Sequence, residues 1–344
     1  MPTMRQDNET INSKTKLEII VTLCEKLKAC YVFPDQAEQI SKYLLKCLQE
    51  GAFENLDSGS LFALGLTLQL QEVNHDEHLW VRWHAQVLPE NTEALRLDPT
   101  WQAARKEEAR LDHYGFHMLE RLPGNIGYVD IHYFHRPAWG GETAVEAMKY
   151  LSSCSAVIID LRNCTGGYPG MVALVCTYLF DEEPLLLDSI YWRDDDLTQQ
   201  FWTLPYIPGR RFPDTPIFLL TSKKTFSAGE EMAFILHTRK RGVIIGEKTD
   251  GGAHPGASYR ISPHFEAFIP IGCSLSPLTG TDWEGIGVTP DIALPPEQSF
   301  NRAYQMALQI VLAELKDSKT THQQQLAMEA QKALDNLCQG RSSY

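Results

Sequence analysis

The sequence predicts an α/β protein with a helical N-terminal domain and C-terminal helices. Two patterns carry that reading. Between Tyr128 and Pro295, short apolar runs alternate with runs of helical spacing, the pattern of a largely parallel sheet with crossover helices. From Thr15 to about His75, apolar residues recur only at helical spacing. With 43% hydrophobic and 22% charged residues, the chain has the apolar content for a sizeable core.

Residues 1–14 are polar and read as a disordered tail, and residues 15–84 as the helical domain. Leu17, Ile20, Val21, Cys24 and Leu27 form one apolar face. Tyr31-Val32-Phe33-Pro34-Asp35 breaks that helix, because the residue before proline avoids helical angles. A second helix carries Ala37, Ile40, Leu44, Leu45 and Leu48. Asp57 and Ser58 are cap candidates for a third, with Leu61, Leu64, Leu66 and Leu68 as its apolar residues. Alternating Leu79, Val81 and Trp83 predict a strand after it.

Residues 85–126 read as a linker, with one helix around Trp101 to Leu111, running into a hairpin. The hairpin pairs 117–122 with 126–131 around Pro123-Gly124-Asn125. The core spans 127–297. Its expected strands are 156–161, 216–221 and 243–246, with β-rich segments at 259–261 and 267–271. Its expected helices are 143–151, 170–179 and 227–240. Residues 298–344 close the chain with one or two helices.

The net charge of −13 argues against nucleic acid and anionic membrane surfaces as partners. The first residues contain no secretory signal, and no apolar run reaches membrane-spanning length. Eight cysteines without a Cys-x-x-Cys pair predict reduced thiols and a cytoplasmic protein.

Four stretches could carry chemistry. Thr225-Phe226-Ser227-Ala228-Gly229-Glu230-Glu231 lies between an apolar strand and a helix. Ser227 there is either a capping-box serine paired with Glu230 or a nucleophile. Asp160-Leu161-Arg162-Asn163-Cys164-Thr165-Gly166-Gly167 follows a strand; its glycines either allow close approach of a ligand or make a tight turn. It has neither a dinucleotide fingerprint nor a phosphate loop. Gly246-Glu247-Lys248-Thr249-Asp250-Gly251-Gly252-Ala253-His254 is a loop whose Lys248 is either a base or a solvated lysine. Glu284, in Asp282-Trp283-Glu284-Gly285-Ile286-Gly287-Val288-Thr289-Pro290-Asp291, is either a site carboxylate or a loop residue. The His75 and His78 pair is a metal half-site without a companion cluster, so neither zinc nor any other cofactor is expected.

Taken together, the stretches at 160–167, 227–230, 246–251 and 284–291 resemble, in order, the motifs of the tail-specific or C-terminal processing serine peptidases. Tyr31-Val32-Phe33-Pro34-Asp35 and Asp76-x-His78-Leu79 look like the branch related to interphotoreceptor retinoid-binding protein. The likeness covers about residues 15–297. It implies a crotonase/ClpP-like spiral core, a peptide or protein substrate and a possible homo-oligomer. The 85–126 stretch is too short for the PDZ domain of the processing peptidases, and Gly252 stands where their dyad lysine would be. The resemblance therefore points to the tricorn-type arrangement, with Ser227 as nucleophile, His78 as base and Glu284 as orienting carboxylate. A serine precedes the histidine in that pattern, whereas Glu77 does here. Gly166, Gly167 and Ala228 would form the oxyanion hole, and Gly251, Gly252 and His254 would face substrate. His132, His135 and His254 are further candidates for the base. The alternative implied by the retinoid-binding relative is a non-catalytic carrier of retinoids or fatty acids.

Overall fold

Prolines and polar caps punctuate this chain where its helices begin. The computed structural model describes residues 10–90, 98–317 and 319–339. In chain order the elements are α1 (Ser13–Cys30), α2 (Pro34–Gln49), α3 (Gly59–Asn74), β1 (Trp80–Trp83), α4 (Pro99–Leu111), β2 (Phe116–Leu122) and β3 (Ile126–Ile131). There follow α5 (Pro137–Leu151), β4 (Ala156–Asp160), α6 (Pro169–Thr177), β5 (Leu186–Trp192), β6 (Leu197–Trp202), β7 (Ile217–Thr221) and α7 (Ala228–Thr238). The chain continues through β8 (Val243–Gly246), β9 (Gly256–Ser262), β10 (Phe265–Pro270), β11 (Gly272–Leu275), β12 (Ile292–Ala293), α8 (Pro296–Glu314) and α9 (Thr321–Cys338). Five of these helices, α2, α4, α5, α6 and α8, begin on proline, whose missing N–H would be unsatisfied there in any case. Asn12, Ser58 and Thr320 cap α1, α3 and α9 with side-chain oxygens. Among the described residues no helix is long and apolar enough to cross a membrane.

The chain divides into two units. The first comprises residues 1–105, 190–199 and 252–275. It is more than the helical domain expected over 15–84, because β1 pairs antiparallel with β10, and β10 with β9. Its core joins Ile20, Leu23, Leu27, Leu44, Phe62 and Leu66 to Tyr259, Phe265 and Ile269. The tail expected over 1–14 falls partly outside the described residues. Within the described part, Ile11 is buried, its N–H donates to Asp57 O, and Ser13 already opens α1. The buried face of α3 takes only part of the leucine run expected for that helix. Phe62, Ala63, Leu66 and Leu70 point inward, whereas Leu61, Leu64 and Leu68 are 51%, 55% and 57% exposed. Leucines circle α3 so evenly that their spacing alone does not select a face.

The second unit comprises residues 106–189, 200–251 and 276–344. Its sheet has the order β12-β8-β7-β4-β3-β2, parallel except for the antiparallel edge pair β2–β3. Ile158 faces Tyr128 and Phe218 in register, and Leu219 faces Ile244. Every residue of β4 and β7 is buried, so they read as continuous apolar runs, as parallel strands covered on both faces do. One face, with Tyr128, Ile158, Phe218, Leu220 and Ile245, packs on Phe300, Ala303, Ala307 and Leu308 of α8 and on Ala330 of α9. Strand alternation turns Val157, Ile159, Leu219 and Ile244 to the opposite face. The core expected from residue 127 thus also includes β2, α8 and α9, and the α5 helix starts at Pro137, before the expected Thr143.

The α3 result gives a direct test. Leu66→Ala should lower unfolding free energy by about 2–5 kcal/mol, the range for a buried leucine. Leu64→Gln on the outer face should change it by no more than about 0.5 kcal/mol. Urea titrations of both variants measure the difference.

Candidate functional site

Strands β4, β7 and β8 are neighbours in the second unit, so the loops after them meet at one edge of the sheet. This is where open parallel sheets bind ligands. Side chains and backbone lace these loops together. Thr225 Oγ1 donates to Leu161 O at 2.8 Å, Ser222 Oγ to Arg162 O at 2.6 Å, and Phe226 N to Cys164 O at 3.0 Å. Asp250 N donates to Thr225 O at 3.2 Å. Asp160 anchors the start of the glycine loop. Its carboxylate accepts from Tyr128 OH at 2.8 Å and from the Arg162 guanidinium, which also reaches Pro296 O.

Ser227 is half-buried at the N-cap of α7, with φ 52° and ψ −119°. A non-glycine residue there stores roughly 1–3 kcal/mol of strain. A strained residue on a strand-to-helix turn is also the geometry of nucleophile elbows on other folds. Gly166 lies against it. A Cβ on Gly166, at φ 116°, would come 2.9 Å from Ser227 Cβ, so only glycine allows this approach. The N–H groups of Gly166 and Gly167 have no backbone acceptor among the described residues, and Ala228 contributes the first amide of α7. These three expected oxyanion donors therefore sit on the two turns that flank Ser227 in this unit. Burial pushes the Cys164 thiol up to about 12, so this neighbouring sulfur is not a thiolate rival to the serine.

Glu230 closes the Glu half of the capping box, its Oε2 accepting from Ser227 N at 2.9 Å. Oε1 accepts from Thr249 Oγ1 at 2.6 Å and from Gly251 N at 2.7 Å. The Gly251 carbonyl takes Gly285 N–H at 2.8 Å. Gly251, expected to face substrate, thus has both backbone polar groups engaged in loop packing. Glu284 is half-buried on the adjoining turn, where its N–H donates to Asp282 Oδ1 and Trp283 packs on Phe234. Lys248 is exposed, as a solvated loop lysine would be.

In the first unit, Asp76 gathers the histidines. Its Oδ1 accepts from His78 N at 3.0 Å, and its Oδ2 from Tyr31 OH at 2.9 Å. His254 Nδ1 lies 2.9 Å from the same Oδ2. All four residues are buried. His78 stacks on Phe268, and His254 meets the edge of Phe33. Burial pushes the His78 imidazole down to about 4, against the opposing pull of Asp76 and with a smaller push from His254. Gly252 is buried beside this cluster in the sequence. His75 is exposed at the C-cap of α3 in a left-handed conformation, so its geometry ends a helix. His132 and His135 belong to the second unit and have aspartates of their own, Asp130 at 3.0 Å and Asp112 at 3.8 Å. Two residues escaped the sequence reading as organisers, Asp76 and Glu230. Both stood inside quoted motifs, Asp two before His and Glu three after Ser, but spacing alone shows only a local turn and a cap.

Residues 125–294 match the family model of peptidase family S41. The chain is 26% identical over 230 residues to the chloroplastic C-terminal processing peptidase of Tetradesmus obliquus, covering 64% of this chain and 47% of that protein. It spans less than half the length of the curated relatives it matches. A candidate peptidase structure from Parabacteroides merdae superposes with a TM-score of 0.59 at 15% identity, over 85% of this chain and 96% of that one. The tricorn protease does so with 0.50 at 13% identity, over 86% of this chain and 37% of that one. At these identities the structural likenesses establish the fold.

The depressed His78 value has a consequence for stability. An unfolded histidine titrates near 6.5, so between pH 6.5 and 4 the unfolded chain binds more protons than the folded one. This contribution is present above pH 6.5 and is lost as pH falls through 4, amounting to about 3 kcal/mol in total. His78→Gln should flatten the unfolding free energy against pH across that window, measured by urea titration at stepped pH.

Proposed function

We propose that the chain, a member of peptidase family S41 across residues 125–294, hydrolyses peptide bonds through an acyl-enzyme on Ser227. The observation that carries this reading is the strained Ser227 turn, set against the glycine loop and at the N-terminus of α7. In the proposed reaction a histidine takes the Ser227 proton as Oγ attacks the scissile carbonyl. The same imidazole then protonates the leaving amine, and water repeats the sequence on the acyl-enzyme. The developing oxyanion would be met by the amides of Ala228 and of Gly166 or Gly167, each donor contributing roughly 3–4 kcal/mol. The α7 N-terminus adds partial positive charge. His78 is the proposed base and Glu284 the carboxylate that orients it, the roles implied by the tricorn-like motif order.

The Asp76–His254 contact favours a second reading of the base. A buried imidazole held through Nδ1 by a carboxylate is the arrangement that fixes a tautomer and leaves Nε2 for proton transfer. In that reading His254 is the base and Asp76 its orienting acid. No observation favours the apolar-ligand carrier.

A peptide or protein is the proposed substrate class. The name of the T. obliquus relative places that protein in the chloroplast. For this chain we propose the cytoplasm, supported by buried thiols such as Cys164 and Cys176, which burial holds protonated.

A fluorophosphonate probe should label wild-type protein at Ser227 and leave Ser227→Ala unlabelled; labelling that survives the substitution overturns the assignment. With a peptide substrate, His78→Ala should lower kcat/KM by roughly 10²–10⁴-fold. If instead His254→Ala and Asp76→Asn produce that loss and His78→Ala does not, the base is His254.

A further inference from the structure

One buried carboxylate in the second unit does more than close a helix cap. Glu230 accepts from three donors on separate segments: Ser227 N on the nucleophile turn, and Thr249 Oγ1 and Gly251 N on the loop after β8. The connection runs on from there. Thr249 Oγ1, while donating to Glu230, accepts from Val288 N at 2.7 Å, and Thr249 N donates to Val288 O at 3.2 Å. Gly285 N donates to Gly251 O. The turn carrying Glu284 is therefore pinned at Gly285 and Val288 to the loop that Glu230 holds.

We propose that Glu230 is a positioning residue for catalysis, fixing the Ser227 turn and the 283–288 turn in one arrangement through Thr249 and Gly251. The inference rests on the reading of Ser227 as nucleophile and adds to it in two ways. First, the Ser227 amide is committed to Glu230, so it is not an oxyanion donor; that role falls to Ala228 and the glycine loop. Second, the strained φ of Ser227 is maintained by a bond that reaches back from within α7, so nucleophile placement depends on the carboxylate form of residue 230. A neutral amide does not replace it. Glutamine keeps one acceptor oxygen and turns the other position into a donor, which must face either the Ser227 N–H or the Thr249 and Gly251 pair.

Two variants of the full chain test this. In Glu230→Gln the rate of fluorophosphonate labelling and kcat should each fall at least tenfold while KM stays within about twofold. Amide hydrogen exchange should quicken in 225–229, 246–251 and 283–288, with β4 and β7 still protected. Thr249→Val, which removes only the relay hydroxyl, should quicken exchange in 283–288 and leave 225–229 as in the wild type. Labelling and kcat within twofold of wild type in a folded Glu230→Gln protein would overturn the positioning role, as would Thr249→Val exchange indistinguishable from wild type. Wild-type labelling tests the nucleophile reading by itself. The exchange pattern decides the coupling whether or not labelling occurs, and Thr249→Val decides it if Glu230→Gln does not fold.

Discussion

The second unit depends on a buried negative charge that is fully engaged by donors. Glu230 is inaccessible to water, and a carboxylate in that position is tolerable only where hydrogen-bond donors replace its hydration. Those donors come from segments more than twenty residues apart in the chain, so satisfying the charge forces the segments together. The parallel sheet delivers the same loops to one edge, and the carboxylate sets their final spacing. The strained Ser227 conformation is stable in this setting because Ser227 N–H has a charged acceptor, and hydrogen bonds to charged groups are worth about 1.5–3 kcal/mol. That range is comparable with the cost of the strain.

The first unit uses the same device with another residue. Asp76 follows the α3 cap and takes a phenol, a backbone amide and an imidazole. Tyr31, from the junction of α1 and α2, is itself met by Asn74 at 2.6 Å, so three helix ends converge on one carboxylate. Its effects on the two histidines differ. His254 meets Asp76 through its ring, whereas His78 donates its backbone N–H to that carboxylate and stacks its ring on Phe268. Burial outweighs the pull of Asp76 and leaves the His78 imidazole neutral far below the usual histidine range.

What could be read in the sequence followed from local patterns. The runs at 156–161, 216–221 and 243–246 are apolar on both faces, and β4, β7 and β8 fall within a residue of them. The Pro-Gly-Asn hairpin and the Ser58 cap were legible for the same reason, since their signals span only a few residues. Pairing between distant segments was not legible. β1 lies beside β10, some 180 residues further along, and nothing in Trp80-Val81-Arg82-Trp83 names its partner. The inward face of α3 was not legible either, because its leucines are not confined to one stripe. At the site, Ser227 and the glycine loop were visible as motifs. The contact of His254 with Asp76 spans 178 residues and leaves no trace in spacing.

The two carboxylates also separate what can vary from what cannot. Lys248 and Asp250 are exposed on the same loop as Thr249 and Gly251, and their side chains hold no part of the Glu230 network. Substitution there changes surface charge. A change at Thr249, by contrast, removes a hydroxyl that donates to one segment and accepts from another, leaving a buried carboxylate oxygen and a buried amide short of a partner together. Such a double loss is why a threonine between two exposed residues is more constrained than the lysine beside it. The loop reads as polar and flexible in sequence, yet its alternate residues belong to the interior.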